Sequence, residues 1–209
     1  MNSIATIELS GYSVIYLQDE DTDGAYIVKS GLVKTTKLMH TGKECTLELF
    51  FPGEAFGLRA LFGLKKRPSN ALTLENSKLL FLPQREIESL GPDLITLRIN
   101  VFDIMDERLR KLEDRFSDLA NRSLRERLAV LLVKLSSKRT LEGGKEWDKG
   151  AVLPLSQLEV ANLIGSTRES VSATLNQFKR EGILSLKRRH IRIENIKELM
   201  EIAQLQHNY

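Results

Sequence analysis

The sequence predicts an α+β chain built as an N-terminal β-roll, a long helix and a C-terminal winged helix-turn-helix. Three observations predict it. From Ile4 to about Pro83, short apolar stretches alternate with turn-prone clusters at regular spacing. From Asp93 the apolar period lengthens from two residues to between three and four. Between Leu155 and Phe178, two short amphipathic segments flank a glycine, and a capping residue stands at the head of each. The boundaries that follow are 1–92 for the roll, 93–121 for the long helix, 122–195 for the winged helix-turn-helix (the motif itself at 156–179) and 196–209 for a last helix.

In the roll, turn residues cluster at Asp19–Gly24, Ser30–Gly31, Thr41–Lys43, Pro52–Gly53 and Pro68–Asn70. Between them, Tyr26–Val28, Leu32–Leu38 and Thr46–Phe51 read as strands. Many short strands with this punctuation suggest a barrel or jelly roll, whose interior can hold a small ligand.

Phe102, Met105, Leu109, Leu112, Phe116 and Leu119 then step by three and four, with charged residues on either side. An a/d seam of this length predicts a dimer interface in a parallel coiled coil. The same stripe also suits packing of the helix on its own roll, and the two uses are compatible.

Ser156 and Glu159 have the spacing of a capping box, and Leu158, Ala161 and Ile164 recur at helical spacing as a core face. Gly165 supplies the turn, a second cap falls at Ser166 or Thr167, and Val171, Leu175 and Phe178 form the next apolar stripe. A helix-turn-helix of this kind sets its second helix in the DNA major groove. A simple capped helical hairpin shares part of the pattern, but the polar face has the chemistry of base reading. Arg168 can bind guanine bidentately, while Ser172 and Asn176 can bond to bases or phosphate. Glu169 can accept from cytosine N4 or, alternatively, close a capping box with Ser166. Lys179 lies on or near the same side, Thr167 at the head of the helix is a further DNA-binding candidate, and phosphate contacts from the first helix, at Ser156 and Gln157, set the register.

Ser123 and Glu126 offer another capping box before a helix carrying Leu124, Leu128, Leu131, Leu132 and Leu135 and ending in Ser136–Arg139. Leu141–Gly150 is polar, and Ala151–Leu155 reads as a short strand. After a stop at Gly182, the apolar segments Ile183–Leu186 and Ile191–Ile193 enclose a basic tip. That is a hairpin wing with Lys187, Arg188 and Arg189 on phosphates, and His190 belongs to its polar tip. Ile196–Leu205 reads as a final amphipathic helix.

Composition narrows the class. With 42% hydrophobic and 28% charged residues, the chain is globular. It shows neither a membrane-length apolar run nor a secretory signal in Met1–Ser10, so a cytoplasmic protein is expected. Residues 1–121 contain 15 Lys and Arg against 18 Asp and Glu, whereas residues 122–193 contain 15 against 7. Positive charge is thus concentrated on the segment with the helix-turn-helix, as a phosphate-binding surface requires. A solvated basic face would show the same excess without the motif. One cysteine, Cys45, cannot ligate an iron–sulfur cluster or a structural zinc, and its expected role is a small buried hydrophobe. The roll has one histidine, His40, no metal-ligand cluster and no nucleophile–base set, so an enzyme is not expected.

YIVKSGLVK (Tyr26–Lys34), FFPGEAFGLRALF (Phe50–Phe62) and IGSTRESVSATL (Ile164–Leu175) together resemble the CRP/FNR superfamily of bacterial transcription regulators. The resemblance implies a roll of cyclic-nucleotide-binding type, a dimer helix and a winged helix, acting as a homodimer on double-stranded DNA. Arg168 and Glu169 match the positions that read guanine and cytosine in family members, but Ala173 stands where a third reader, an arginine, is found. Cyclic-AMP-binding members carry Gly-Glu in a short helix and an Arg-Ser or Arg-Thr pair about ten residues on. Here Leu58 follows Gly57, and Ser69 and Asn70 lie near the place of that pair. Without those charge-assisted bonds cyclic AMP is not the expected effector, and no cofactor is required. Phe56, Gly57, Leu58, Arg59 and Arg67 are the candidate effector pocket. The Phe56–Leu58 pattern is also similar to cyanobacterial nitrogen regulators that sense 2-oxoglutarate, which makes a small acid one candidate and no effector another. The expected sign of control is activation, with RNA polymerase as the protein partner. The alternative function is a small-molecule-binding module that acts on a protein partner.

Overall fold

The computed structural model describes residues 4–40, 42, 44–143 and 151–204. The chain divides into two compact units, residues 1–113 and 114–209.

The first unit contains β1 (Ala5–Leu9), β2 (Val14–Tyr16), β3 (Gly24–Ser30), β4 (Val33–Leu38), β5 (Glu44–Phe50), β6 (Ala55–Phe56), a 3-10 turn (Leu58–Phe62), β7 (Asn70–Thr73), β8 (Ser77–Pro83) and helix α1 (Gln84–Ser89). The strands form two four-stranded antiparallel sheets, in the orders β1-β8-β3-β6 and β2-β7-β4-β5. One core draws equally on both: Tyr16, Val33, Phe50 and Ala71 from the second sheet meet Tyr26, Val28, Phe56 and Leu79 from the first. Side chains alternate across a strand. Ala25, next to Tyr26 on β3, accordingly joins a second cluster with Leu58, Ala60, Leu61, Ile87 and Val101. Helix α2 (Asp93–Asn121) begins on that cluster, where Leu94, Leu97, Ile104 and Met105 are partly buried. Its 29 residues extend past the division between the units.

The second unit continues with α3 (Leu124–Gly143), β9 (Val152–Leu153), α4 (Gln157–Ile164), α5 (Arg168–Arg180), β10 (Leu184–Lys187), β11 (His190–Ile193) and α6 (Ile196–Ile202). Its sheet runs β10-β11-β9, antiparallel throughout. Leu128, Leu132, Leu153, Leu155, Val160, Phe178, Ile183, Ile191 and Leu199 are all buried.

Fold class and element order agree with the sequence reading, and several details differ. Helix α3 runs on to Gly143 instead of ending in Ser136–Arg139, because no glycine or proline interrupts the backbone there. Helix α6 stops at Ile202. Leu158 is 51% exposed, so the core face of α4 is Val160, Ala161, Leu163 and Ile164. The sequence reading gives no separate place to α1, β1, β2, β6, β7 or β8: most are short, and the apolar run of β8 (SKLLFLP) lacks the alternation that marks a half-buried strand. The expected turn at Thr41–Lys43 is described only at Gly42, with φ +76°. Residues 144–150 of the polar stretch and Leu205 lie outside the described residues. No described helix is long and apolar enough to cross a membrane.

Candidate nucleic-acid interface

The motif is built on caps. Ser156 Oγ accepts from the Glu159 backbone N–H (3.2 Å), and the Glu159 carboxylate accepts from Ser156 N–H (2.7 Å), a complete capping box. Gly165 ends α4 at φ +68°, a left-handed conformation that costs a residue with a Cβ about 1–2 kcal/mol. The next cap is Thr167, which accepts from Ser170 N–H (3.2 Å); Ser166 does not cap. The alternative capping role of Glu169 therefore falls away: Ser170, three residues after Thr167, also donates and receives within this cap (Thr167 Oγ1 to Ser170 Oγ, 2.9 Å).

Helix α5 buries Val171, Leu175 and Phe178 completely. Residues at helical spacing on the other side, Arg168, Glu169, Asn176, Lys179 and Arg180, are exposed, and Ser172 is half-buried among them. Asn176 Nδ2 donates to the Ser172 carbonyl (2.9 Å), one turn back. Among the described residues, the side chains of Arg168, Glu169, Lys179, Lys187 and Arg188 make no hydrogen bond or ion pair. Arginines of the scaffold behave oppositely. Arg115 donates to Leu163 O (2.6 Å), and Arg122 donates to Ala203 O (2.7 Å) and the Asp118 carboxylate (2.7 Å). Arg125 lies 4.7 Å over the Phe178 ring and donates to Glu181 (2.7 Å), which holds that carboxyl below its usual range. Strands β10 and β11 pair Lys187 with His190, leaving Arg188 and Arg189 as a two-residue tip with Arg189 at φ +58°. His190 Nδ1 lies 3.0 Å from Arg188 O, within that tip.

On α2, Phe102, Leu109, Leu112, Phe116 and Leu119 are exposed, Phe116 at 76%. Met105 differs: it is partly buried against the second cluster of the roll, so the stripe divides its residues between roll and solvent.

The five candidate pocket residues fall into different environments, with Gly57 directly against the Arg67 guanidinium. Phe56 belongs to the roll's inner core, Leu58 to the second cluster, and the side chain of Arg59 is exposed. Arg67 is 1% exposed, with its guanidinium carbon 4.1 Å over the Tyr16 ring and 5.5 Å from that of Tyr26. It donates to Gly24 O (2.7 Å), to Gly57 O (3.4 Å) and to the Asp23 carboxylate. Burial pushes the Tyr16 hydroxyl up to about 12 and raises that of Tyr26 as well. Asp23, Tyr16 and Tyr26 were not singled out from sequence; pairings across 44 residues leave no local signal. A cavity of about 410 Å³ lies elsewhere in the first unit, lined by Phe62, Ile95, Arg98, Ile99, Phe102 and Asp103.

Two family models match this architecture: a cyclic nucleotide-binding domain over residues 7–91 and a Crp-like helix-turn-helix domain over residues 126–202. The chain belongs to the CRP/FNR superfamily. It is 25% identical to an anaerobic regulatory protein of Aggregatibacter actinomycetemcomitans over 91% of this chain and 73% of that one. To the fumarate and nitrate reduction regulatory protein of Escherichia coli K12 it is 25% identical over 90% and 74%. A CRP/FNR-family transcriptional regulator from Thermus thermophilus superposes with a TM-score of 0.76 at 28% identity, over 96% of this chain and 98% of that one. FixK2 from Bradyrhizobium japonicum shares the fold, with a TM-score of 0.79 at 21% identity over 96% and 98%. As a superfamily member, the chain is a DNA-binding transcription regulator, and these relatives are regulators and not enzymes. Leu58, the residue after Gly57, is buried in an apolar cluster, and the guanidinium of Arg67 is bound within the chain.

Proposed function

We propose that the protein acts as a homodimer that reads a two-fold pseudo-palindromic DNA site, with Arg168, Glu169 and Ser172 on base edges and Lys187, Arg188 and Arg189 on phosphates. The observation that carries this reading is the contrast in partners. Arg168, Glu169, Lys187 and Arg188 have none among the described residues, while the scaffold arginines are bonded internally. Unbonded cations on a surface are what a phosphate backbone recruits, and a bidentate Arg supplies sequence discrimination. The exposed apolar residues of α2 support the dimer, since a stripe of Phe102, Leu109, Leu112, Phe116 and Leu119 is costly in water and self-complementary in a parallel pair. Dimerisation in turn sets two recognition helices to half-sites about one helical turn apart.

Selection from a random double-stranded DNA pool tests the reading, and enrichment of a two-fold pseudo-palindrome is expected. An enriched site without two-fold symmetry would refute the dimer, and no enrichment under any condition would refute sequence-specific reading. Phe116→Glu should convert the dimer to a folded monomer in sedimentation, a loss of about 2–4 kcal/mol of association. Transcription in vitro from a promoter that carries the enriched site is expected to rise on addition of the protein.

A further inference from the structure

Three arginines converge on the short segment formed by β6 and the 3-10 turn, against which the start of α2 packs. Arg67 reaches it from inside the roll and donates to Gly57 O (3.4 Å). Arg98 and Arg108, both on α2, donate to Leu61 O (2.6 Å) and to Ala55 O. The carbonyls of residues 55, 57 and 61 are thereby held by side chains from the roll and from the helix. Arg108 is steadied by Glu48 (3.3 Å) and by the Phe50 ring at 5.1 Å.

The inner arginine is the unusual one. A guanidinium is seldom buried without a partner, because desolvation costs several kcal/mol. Here both carboxylate oxygens of Asp23 are engaged, one by Arg67 and the other by the Tyr26 hydroxyl (2.7 Å). The rings of Tyr16 and Tyr26 flank the cation. Gly57 forms its seat: a Cβ there would come 2.7 Å from Arg67 Nη1 and would require a left-handed φ of +68°. The Arg67 backbone is pinned too, donating to Glu20 O and accepting from Asp19 N–H, each at 2.9 Å.

We propose that Arg67 is a built-in ligand of the roll: paired with Asp23, it bridges the roll interior to the segment on which α2 packs, so that operator binding neither needs nor responds to a cyclic nucleotide. The inference rests on the DNA-reading function proposed above. A cyclic nucleotide fits these residues poorly. The position after Gly57 is the buried Leu58, Pro68 follows Arg67, and the cation that would face a phosphate is already neutralised by a carboxylate. A carboxylate tethered in the same chain acts at a high effective concentration, against which a free anion must compete.

The test compares the full-length wild type with Arg67→Met and with the double variant Arg67→Met/Asp23→Asn, which leaves no unpaired buried charge. Hydrogen exchange over residues 55–63 and affinity for the selected operator are measured with and without millimolar cyclic AMP, cyclic GMP or 2-oxoglutarate. Wild type should bind the operator unaided, and the additions should change neither its affinity nor its exchange. Both variants should exchange about tenfold faster over residues 55–63 and lose operator affinity by a similar factor. Protection over residues 168–180 should remain, which separates the effect from loss of the second unit. Tighter operator binding or slower exchange of the wild type on addition of either cyclic nucleotide would overturn the proposal. So would wild-type exchange over residues 55–63 in both variants. If no protein form prefers any DNA sequence, the DNA-reading function fails, and the exchange data still decide whether Arg67 holds the segment.

Discussion

Arg67 and Arg168 are the same residue in opposite circumstances. Arg67 is enclosed in the roll with a carboxylate, two carbonyls and two aromatic rings around it. Arg168 stands at the exposed first position of α5 with no partner among the described residues. A guanidinium is never neutral at physiological pH, so its counter-charge must come from somewhere. In the roll the fold supplies it. For Arg168 and for Arg188 of the wing the described residues supply none, and the function proposed above assigns that place to DNA. Function is legible where the chain leaves a charge uncompensated, and architecture where it does not.

The sharpest way to break this contrast is to damage the scaffold that presents Arg168. Phe178 is fully buried under the Arg125 guanidinium, and Phe178→Ala should cost about 3–5 kcal/mol in denaturant unfolding of the second unit. A cost near zero would mean that α5 is not held by its apolar stripe. In the roll the contrast is open to alkaline titration. The Tyr16 hydroxyl titrates near 12 in the fold against about 10 when unfolded, so the fold disfavours the phenolate. Its contribution is fully present below pH 10 and is lost as pH rises toward 12, on the order of 2 kcal/mol. Tyr16→Phe should flatten that part of the stability-against-pH curve, and an unchanged curve would place the titration elsewhere.

Smaller effects separate the two kinds of DNA contact. Arg168→Ala should cost about 1–3 kcal/mol at the selected site and relax one base position, with little change on random DNA. Equal losses on both DNAs would assign it to phosphate. Arg188→Ala should weaken all sequences alike and lower the salt slope by about one. A base-dependent loss would move it to the other class.

Much of the architecture could be read along the chain, since turn spacing, heptad steps and caps are local patterns. The fold class, the order of elements, the capping box at Ser156 and the apolar stripe of α5 all have such signatures. Where two local solutions were nearly equal, the chain did not choose between them. Ser166 and Thr167 both suit a cap, and the backbone geometry at Gly165 selects Thr167. Leu158 has the right spacing for a core face, yet it stays half exposed.

Local patterns along the chain account for what this protein is made of: a roll, a long helix with an apolar stripe, and a basic winged helix with an arginine at the head of α5. Those properties depend on residues within a few positions of one another. The surroundings of Arg67 come instead from folding. Its partners, Tyr16, Asp23, Gly24, Tyr26 and Gly57, lie 10 to 51 positions away, and a buried charge is defined by what the fold brings around it.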